Sequence, residues 1–179
     1  MSAGNFPAFL GFAWRPSFDS PADGFHVTPG DTGGGTKGGV IEATWAGAVQ
    51  SGLVSGTLAS APDAALSLVL QQECWGEVCD MLPPGLDFLF ANGRMMSGRF
   101  PWLFQGCLGF IGEDVDGRIG PESLAAARSA EHVTLIKAIT GVHYAYLQSL
   151  TSWHEFGNGW TARLIAAAAL ACKLAGPVT

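Results

Sequence analysis

The chain has 179 residues, of which 48% are hydrophobic and 13% are charged. This composition can supply a sizeable apolar core and excludes a globally disordered protein. The formal net charge of −6 argues against a nucleic-acid-binding protein, because such proteins neutralise phosphates with an excess of Lys and Arg.

Two apolar segments at the ends of the chain do not predict targeting or membrane insertion. Met1–Trp14 has no basic residue ahead of its apolar stretch and no small-residue cleavage signature, so no secretory signal is predicted. Leu164–Leu174 contains Lys173 and is about half the length that spans a bilayer, so we expect a buried helix and no integral membrane segment. Synthesis in the cytoplasm is the expectation that follows.

The first forty residues predict one short helix followed by an irregular, glycine-rich region. Asn5–Trp14 fits the helix, and the segment after Arg15 is rich in Pro, Gly and Asp. The runs Gly33–Gly35 and Gly38–Gly39 indicate positive φ or close backbone approach, as in a tight hairpin or a loop that lines a cleft. A flexible linker is the alternative for this region.

From Val40 onward the spacing of apolar residues is helical. The predicted helices are Ile41–Gly52, a helix with Asp63 as its N-cap, Trp75–Leu82, Leu86–Met96, Phe100–Phe110, a helix that starts at Pro121, Glu131–Thr151 and Trp160–Leu174. Gly112–Gly120 is predicted to be a polar turn, and Gly157–Gly159 a break before the last helix. The sequence therefore predicts a mainly α fold with a small glycine-rich hairpin or loop region near the N-terminus.

The cysteines do not predict a metal site. None has histidines at ligand spacing, and all lie in apolar surroundings, so we interpret them as free core thiols: Cys74, Cys79, Cys107 and Cys172. No metal and no cofactor is predicted.

The carboxylates of the first forty residues are all aspartates: Asp19, Asp23 and Asp31. The first glutamate, Glu42, already belongs to an apolar-patterned helix. Two carboxylates beside a cleft suit hydrolysis of a glycosidic bond. One carboxylic acid protonates the leaving oxygen, and a carboxylate or a positioned water acts at the other face of the sugar.

The stretch from Asp23 to Val40 resembles a signature that reads roughly E-G-G-Y-V-x-D-P-x-D-x-G-G-x-T-x-x-G-I. The matching residues are Gly24, Val27, Pro29, Asp31, Gly33, Gly34, Thr36, Gly39 and Val40. One residue is missing between Val27 and Pro29, which places Asp23 opposite the signature's glutamate. The signature is that of glycoside hydrolase family 108, the N-acetylmuramidases of phages and prophages.

The resemblance continues through most of the chain. Further matches are Trp75 with Cys79–Gly85 (W…D-x-L-P-x-G), Asn92, Phe104–Gly109 (L-Q-x-x-L-G), Asp116–Leu124 (D-G-x-I-G-P-x-T-L), and Tyr146–Leu147 with Phe156–Trp160 and Arg163 (Y-L…F-x-x-G-W-x-x-R). The resemblance implies a lysozyme-like helical fold packed as one globular unit. Residues 1–85 would form a catalytic-type region, and residues 86–179 a peptidoglycan-binding-type helical region.

The implied reaction is hydrolysis of the β-1,4 bond between N-acetylmuramic acid and N-acetylglucosamine in peptidoglycan. By resemblance, Asp23 is the general acid, Asp31 holds or activates the attacking water, and Thr36 assists that water. Asp23 is one methylene shorter than glutamate, so its proton falls short by about 1.5 Å; Asp19 is the alternative acid. The residues expected to contact substrate are His26, Gly33, Gly34, Asn92 and Asp116.

Alternatives remain open at this point. One is a catalytically degenerate peptidoglycan-binding structural protein of a phage or tail-like particle, and another is a lytic transglycosylase, which needs only one acid/base. The alternative for His26 is a structural role in the hairpin. Asp116–Pro121 could equally be a stiff turn instead of a contact with peptidoglycan. We expect the protein to reach the cell wall through a holin-like pore or as a component of a particle, whose proteins would then be its partners.

Overall fold

The chain folds as a mainly α protein with one small sheet near the N-terminus, which confirms the predicted fold class. The computed structural model describes residues 4–16, 18, 22, 24–27 and 34–176. The helices are α1 (Phe6–Ala13), α2 (Glu42–Gln50), α3 (Asp63–Leu70), α4 (Gly76–Met81), α5 (Leu86–Met96), α6 (Phe100–Cys107), α7 (Pro121–Ser129), α8 (His132–Gln148) and α9 (Trp153–Ala175). The strands are β1 (His26–Val27), β2 (Gly35–Lys37) and β3 (Val40–Ile41).

The chain divides into two compact units. The hairpin unit, Pro7–Cys74, contains most of α1, the sheet, α2 and α3. The helical unit begins at Trp75, continues with α4 to α9, and also includes the segment before Pro7. A π-helical turn at Gln71–Trp75 joins α3 to α4, so the boundary between the units falls within a helical stretch. The predicted division at residue 85 concerns the roles of the two parts and stays a prediction.

The sheet of the hairpin unit is antiparallel, in the order β1-β2-β3. Lys37 pairs with Val40, and Gly38 and Gly39 form the two-residue turn between β2 and β3. Both glycines have positive φ, 55° and 77°. Such turns are preferred in hairpins because their twist matches that of the strands, and positive φ favours glycine. The tight hairpin predicted from Gly38 and Gly39 is confirmed.

Two side-chain hydrogen bonds connect this hairpin to other segments of its unit. The Trp14 indole Nε1 donates a hydrogen bond to the Gly38 carbonyl at 3.0 Å. Lys37 Nζ donates to the Ala61 carbonyl at 2.7 Å, at the end of a short 3-10 helix. The sheet is small, but these bonds tie it to two other segments of its own unit.

α5 is the central helix of the helical unit. Its N-terminal part is buried throughout, and it packs against α4, α6, α8 and α9. Phe90 packs edge to face on Phe100 and Phe104 of α6, with ring centroids 5.7 and 5.1 Å apart. Gly93 lies directly beneath the Phe100 ring, where no Cβ would fit. The bounds Leu86–Met96 confirm the prediction for this helix.

The last helix corrects one prediction. The sequence predicted a break at Gly157–Gly159, whereas α9 is continuous from Trp153 to Ala175. Gly157 serves aromatic packing instead, because a Cβ there would lie 2.7 Å from the Trp153 ring. Trp153 packs in turn against Trp160, with ring centroids 6.2 Å apart. A glycine inside a helix costs about 1 kcal/mol, and here it allows a large ring to lie against the backbone.

The four cysteines are free thiols, as predicted. Cys74 and Cys79 lie in the core, whereas Cys107 and Cys172 are partly exposed. In the described part of the chain, no helix combines the length and the apolar character needed to cross a membrane.

Candidate functional site

Two glycines and one glutamate bring β2 against the start of α2. The Gly35 backbone N–H donates to Glu42 Oε2 at 2.8 Å. Gly34 has a φ of 80°, and a Cβ there would lie 2.9 Å from the same carboxylate oxygen. A Cβ at Gly35 would overlap the ring of Phe25. The glycine run is therefore needed for close approach of a carboxylate on one side and an aromatic ring on the other.

His26 and Thr36 lie side by side on the sheet. They are directly paired across β1 and β2, and directly opposite residues of antiparallel strands present their side chains on the same face. His26 Nδ1 lies 3.4 Å from the Gly24 carbonyl oxygen, at the outer limit of a hydrogen bond. The Thr36 hydroxyl makes no hydrogen bond with the described part of the chain. Both side chains are half-buried, so one face of the sheet offers a ligand an imidazole and a hydroxyl that no described residue binds.

Three of the predicted site residues, Asp23, Asp31 and Gly33, lie outside the described residues. In sequence, Asp23 comes three residues before His26, and Asp31 belongs to the stretch that connects β1 with β2. Of the predicted catalytic and substrate-contacting residues in the hairpin unit, the structure therefore brings together Thr36 and His26.

Glu42 is a residue of this site that the sequence interpretation missed. It is the first residue of α2, where the helix dipole favours a carboxylate, and its side chain turns back to β2. Its apolar neighbours follow helical spacing, so it was interpreted only as part of a helix. The available signal was an acidic residue shortly after a glycine run, because buried backbone N–H groups such as that of Gly35 need acceptors.

Asn92 was predicted to contact substrate, but the structure places it inside the helical unit. Its side chain is 0% exposed. Asn92 Oδ1 accepts a hydrogen bond from Arg163 Nε at 2.9 Å, and its amide nitrogen lies 3.6 Å from Met96 Sδ. With no exposed surface it cannot contact a glycan in this arrangement. We interpret Asn92 as the buried partner of Arg163.

Asp116 is exposed, in a loop that Gln105 of α6 holds in place. Gln105 Nε2 donates to Asp116 Oδ1 at 2.9 Å and to the Arg118 carbonyl at 3.0 Å, and its Oε1 accepts from the Gly117 N–H at 2.7 Å. The hydrogen bonds from Gln105 and from the Arg118 N–H hold the pKa of Asp116 below its usual range. The loop is thus a stiff turn, and it presents an ionised carboxylate to solvent.

An open groove of about 400 Å³ lies beside this loop. Its lining includes the acidic residues Glu113, Asp114, Asp116 and Glu122, and among the lining residues the single base is Arg118. Within the described ranges, no three or more His, Cys, Asp or Glu side chains are grouped in a way that could hold a metal ion. The groove is therefore a strongly polar surface whose charges face solvent.

In the helical unit, residues from separate matched motifs are partners of one another. Arg163 Nε donates to Asn92 Oδ1, and Gln105 binds the loop that starts at Asp116. Motifs that are distant in sequence thus meet as hydrogen-bonded pairs, which accounts for their polar residues as determinants of the fold.

No family model matches the chain, and no curated protein matches its sequence. Among solved structures, the chain is similar to Brucella abortus SagA, with 25% sequence identity and a TM-score of 0.81. The match covers 97% of this chain and 97% of that one. The likeness extends over nearly the full length of both chains, so the two share their overall architecture.

Proposed function

We propose that this protein is a peptidoglycan hydrolase of the muramidase type, which cleaves the β-1,4 bond between N-acetylmuramic acid and N-acetylglucosamine. The observation that carries the proposal is the pairing of His26 with Thr36 on a hairpin fixed from several sides. Trp14, Lys37 and Glu42 of this unit are engaged in hydrogen bonds that hold the hairpin. A free hydroxyl beside an imidazole on such a scaffold is suited to binding a ligand.

The proposed roles follow the chemistry of glycoside hydrolysis. Asp23 donates its proton to the glycosidic oxygen as the bond to the anomeric carbon breaks, and Asp31 accepts a proton from the water that attacks that carbon. The Thr36 hydroxyl orients this water by one hydrogen bond. These roles require an acid kept protonated by a poorly solvated setting and a second carboxylate kept ionised by hydrogen bonds.

Two further observations support the proposal. Two pairs of motifs that resemble those of glycoside hydrolase family 108 are joined by hydrogen bonds in the helical unit, Gln105 to Asp116 and Arg163 to Asn92, as expected if these motifs specify a common fold. The hairpin also explains why the matched stretch carries Gly34, since a Cβ there would lie 2.9 Å from Glu42 Oε2.

The experiment is digestion of purified peptidoglycan with the full-length protein, followed by mass spectrometry of the products. The variants are Asp23→Ala and Asp23→Glu, and the control is Glu73→Ala, which removes an exposed carboxylate of the same unit. We expect muropeptides with reducing N-acetylmuramic acid ends from the wild type and the control, and none from Asp23→Ala. Asp23→Glu should be at least as active as the wild type, because it restores the missing methylene.

Three outcomes would contradict the proposal. Full activity of Asp23→Ala would exclude Asp23 as the acid. Anhydro-muropeptides would identify a lytic transglycosylase. Binding to peptidoglycan without any product, in the Asp23→Glu variant as well, would identify a structural protein that holds the cell wall.

A further inference from the structure

The groove beside the Asp116 loop carries charges that the protein leaves unused. The side chains of Glu113, Asp114 and Glu122 make no hydrogen bond or ion pair with the described part of the chain. The guanidinium of Arg118 also has no hydrogen-bonded or ion-paired partner among the described residues. Arg118 attracts the Asp116 carboxylate electrostatically without forming an ion pair with it, so the donors of its guanidinium stay available to a ligand.

Ser123 supplies an independent sign of a ligand. It lines the groove, yet the residue is only 3% exposed. In the described part of the chain its hydroxyl has no hydrogen-bond partner. Ser123 Oγ is not one of the fully enclosed side-chain atoms that lack a partner, so it keeps access to the groove, where a ligand would provide a hydrogen bond.

The groove is also preformed. Gln105, itself 2% exposed, fixes the Asp116 loop by three hydrogen bonds. Gly117 has a φ of 80°, and a Cβ there would lie 2.5 Å from the Trp102 ring, so the loop lies tightly on that ring. A ligand would therefore bind without ordering the loop first, which lowers the entropic cost of binding.

The charged groups of the groove suit a ligand that carries both a positive and a negative charge. α7 begins at Pro121, and the backbone N–H groups of Glu122 and Ser123 have no acceptor within the helix. Together with Arg118 they favour a carboxylate, whereas the free carboxylates of Glu113 and Asp114 favour an ammonium group. We propose that the groove binds a zwitterionic amino-acid group, in which one carbon carries both an ammonium and a carboxylate.

The apolar wall of the groove and its volume of about 400 Å³ both suit this ligand class. Phe110 lines the groove beside the charged residues and can pack against an aliphatic chain. A diamino acid of a peptidoglycan stem peptide has such a chain with a zwitterionic end. The identification with a wall peptide rests on the proposed function, whereas binding of the zwitterion does not.

Calorimetric titration of the full-length protein with three aliphatic probes tests the proposal. The probes have chains of five or seven carbons and differ in their charged groups. meso-Diaminopimelate carries two zwitterionic ends, cadaverine lacks both carboxylates, and pimelate lacks both ammonium groups. We expect saturable binding of meso-diaminopimelate and at least about tenfold weaker binding of the other two, because each loses one set of charge-assisted hydrogen bonds. Cadaverine binding as tightly as meso-diaminopimelate, or no binding of any probe, would overturn the proposal.

The variants assign the two charges and the hydroxyl. Arg118→Gln should weaken meso-diaminopimelate binding about tenfold and leave the weak binding of cadaverine unchanged, and Ser123→Ala should weaken the former about fivefold. The matched control is Lys137→Gln, an exposed cation of α8 outside the groove, which should leave the affinity unchanged. Equal losses in Lys137→Gln and Arg118→Gln would show a general charge effect and contradict the proposal.

The experiments can refute the hydrolase proposal and the zwitterion-site proposal independently of each other. If peptidoglycan is hydrolysed but meso-diaminopimelate does not bind, the zwitterion site is wrong and the hydrolase stands. If meso-diaminopimelate binds in an Arg118-dependent way and no hydrolysis occurs, the groove stands and the hydrolase is wrong.

Discussion

The two units treat the polar residues of the matched motifs in opposite ways. In the helical unit the buried Asn92 and Gln105 are hydrogen-bonded, Asn92 to Arg163 and Gln105 to the Asp116 loop. In the hairpin unit Thr36 keeps a free hydroxyl beside His26, on a sheet that other side chains hold in place. Polar residues of the matched motifs therefore serve two purposes. Some stabilise the fold, and others are available to a ligand.

The difference follows from what burial demands. A polar group inside a helical core needs a partner, because an unpaired one is costly. A polar group on a half-buried sheet face has water as its alternative partner and can exchange that water for a ligand. Substitution of the buried Asn92 or Gln105 should therefore change stability, and substitution of Thr36 on the sheet should change activity.

The largest effect is expected at Gly85, at the start of α5. Gly85 has a φ of 86°, and a Cβ there would collide with the backbone carbonyl of Ala171 in α9. Gly85→Ala should lower the free energy of unfolding by about 3 kcal/mol or more, measured by urea denaturation. Gly106→Ala is the matched control, since nothing lies within 4 Å of its Cβ position, and it should be neutral or stabilising. Equal effects at both positions would refute the close α5–α9 approach.

His143 makes the helical unit sensitive to acid. It is 1% exposed, its ring packs 4.9 Å from that of Phe100, and its Nε2 has no partner in the described part of the chain. Burial lowers the pKa of His143 from 6.5 to about 4. The unfolded chain therefore binds a proton at a higher pH than the folded chain does. The resulting stability is fully present above pH 6.5 and is lost as the pH falls to about 4.

The loss amounts to about 3 kcal/mol over this interval. His143→Leu should remove most of this pH dependence in thermal or urea denaturation. His154→Gln, at an exposed position, should keep it. An unchanged acid response in His143→Leu would place the sensitive group elsewhere.

Asn92→Ala and Thr36→Val compare the two units directly. Asn92→Ala removes a buried acceptor of Arg163 and should cost about 2 kcal/mol in the free energy of unfolding. Thr36→Val keeps the shape of a side chain whose hydroxyl has no partner in the described chain, so it should change stability by less than about 0.5 kcal/mol. A larger stability loss at Thr36 than at Asn92 would reverse the assignment of roles.

The smallest effect is expected at Glu42. Glu42→Gln keeps an oxygen that can accept from the Gly35 N–H but removes its charge, so the hairpin should be held less firmly. Activity on peptidoglycan should fall about fivefold or less. Glu42→Ala should lose more, because no acceptor remains. Glu73→Gln is the control for removing a carboxylate of the same unit, and an equal loss there would indicate a general charge effect.

The sequence predicted the helices of the helical unit well where apolar spacing is regular, as in α5. The prediction was wrong where a residue type commonly occurs in two different structural contexts. Gly157 is a helix breaker by composition but lies inside α9 because the Trp153 ring packs on it, which sequence spacing alone does not reveal. Asp63 was predicted as an N-cap, whereas Pro62 occupies that position and Asp63 lies in the first turn.

For the candidate site, the sequence located the glycine-rich hairpin and Thr36 but not the role of Glu42 or the burial of Asn92. Both errors concern long-range contacts. Glu42 meets β2 only after α2 has folded against the sheet, and Asn92 becomes inaccessible only when Arg163 of α9 packs over α5. Residue type and spacing predict an element, and partners from other elements decide what a side chain does.

The most direct test of the central claim is the rate of reducing-end release from peptidoglycan by wild type, Thr36→Val and Thr36→Ser at matched thermal stability. We predict that Thr36→Val lowers kcat at least about tenfold, equivalent to one hydrogen bond in the transition state, with little change in KM. Thr36→Ser, which keeps the hydroxyl, should retain most of the rate. Wild-type kcat in Thr36→Val would contradict the assignment of the chemistry to the hairpin unit.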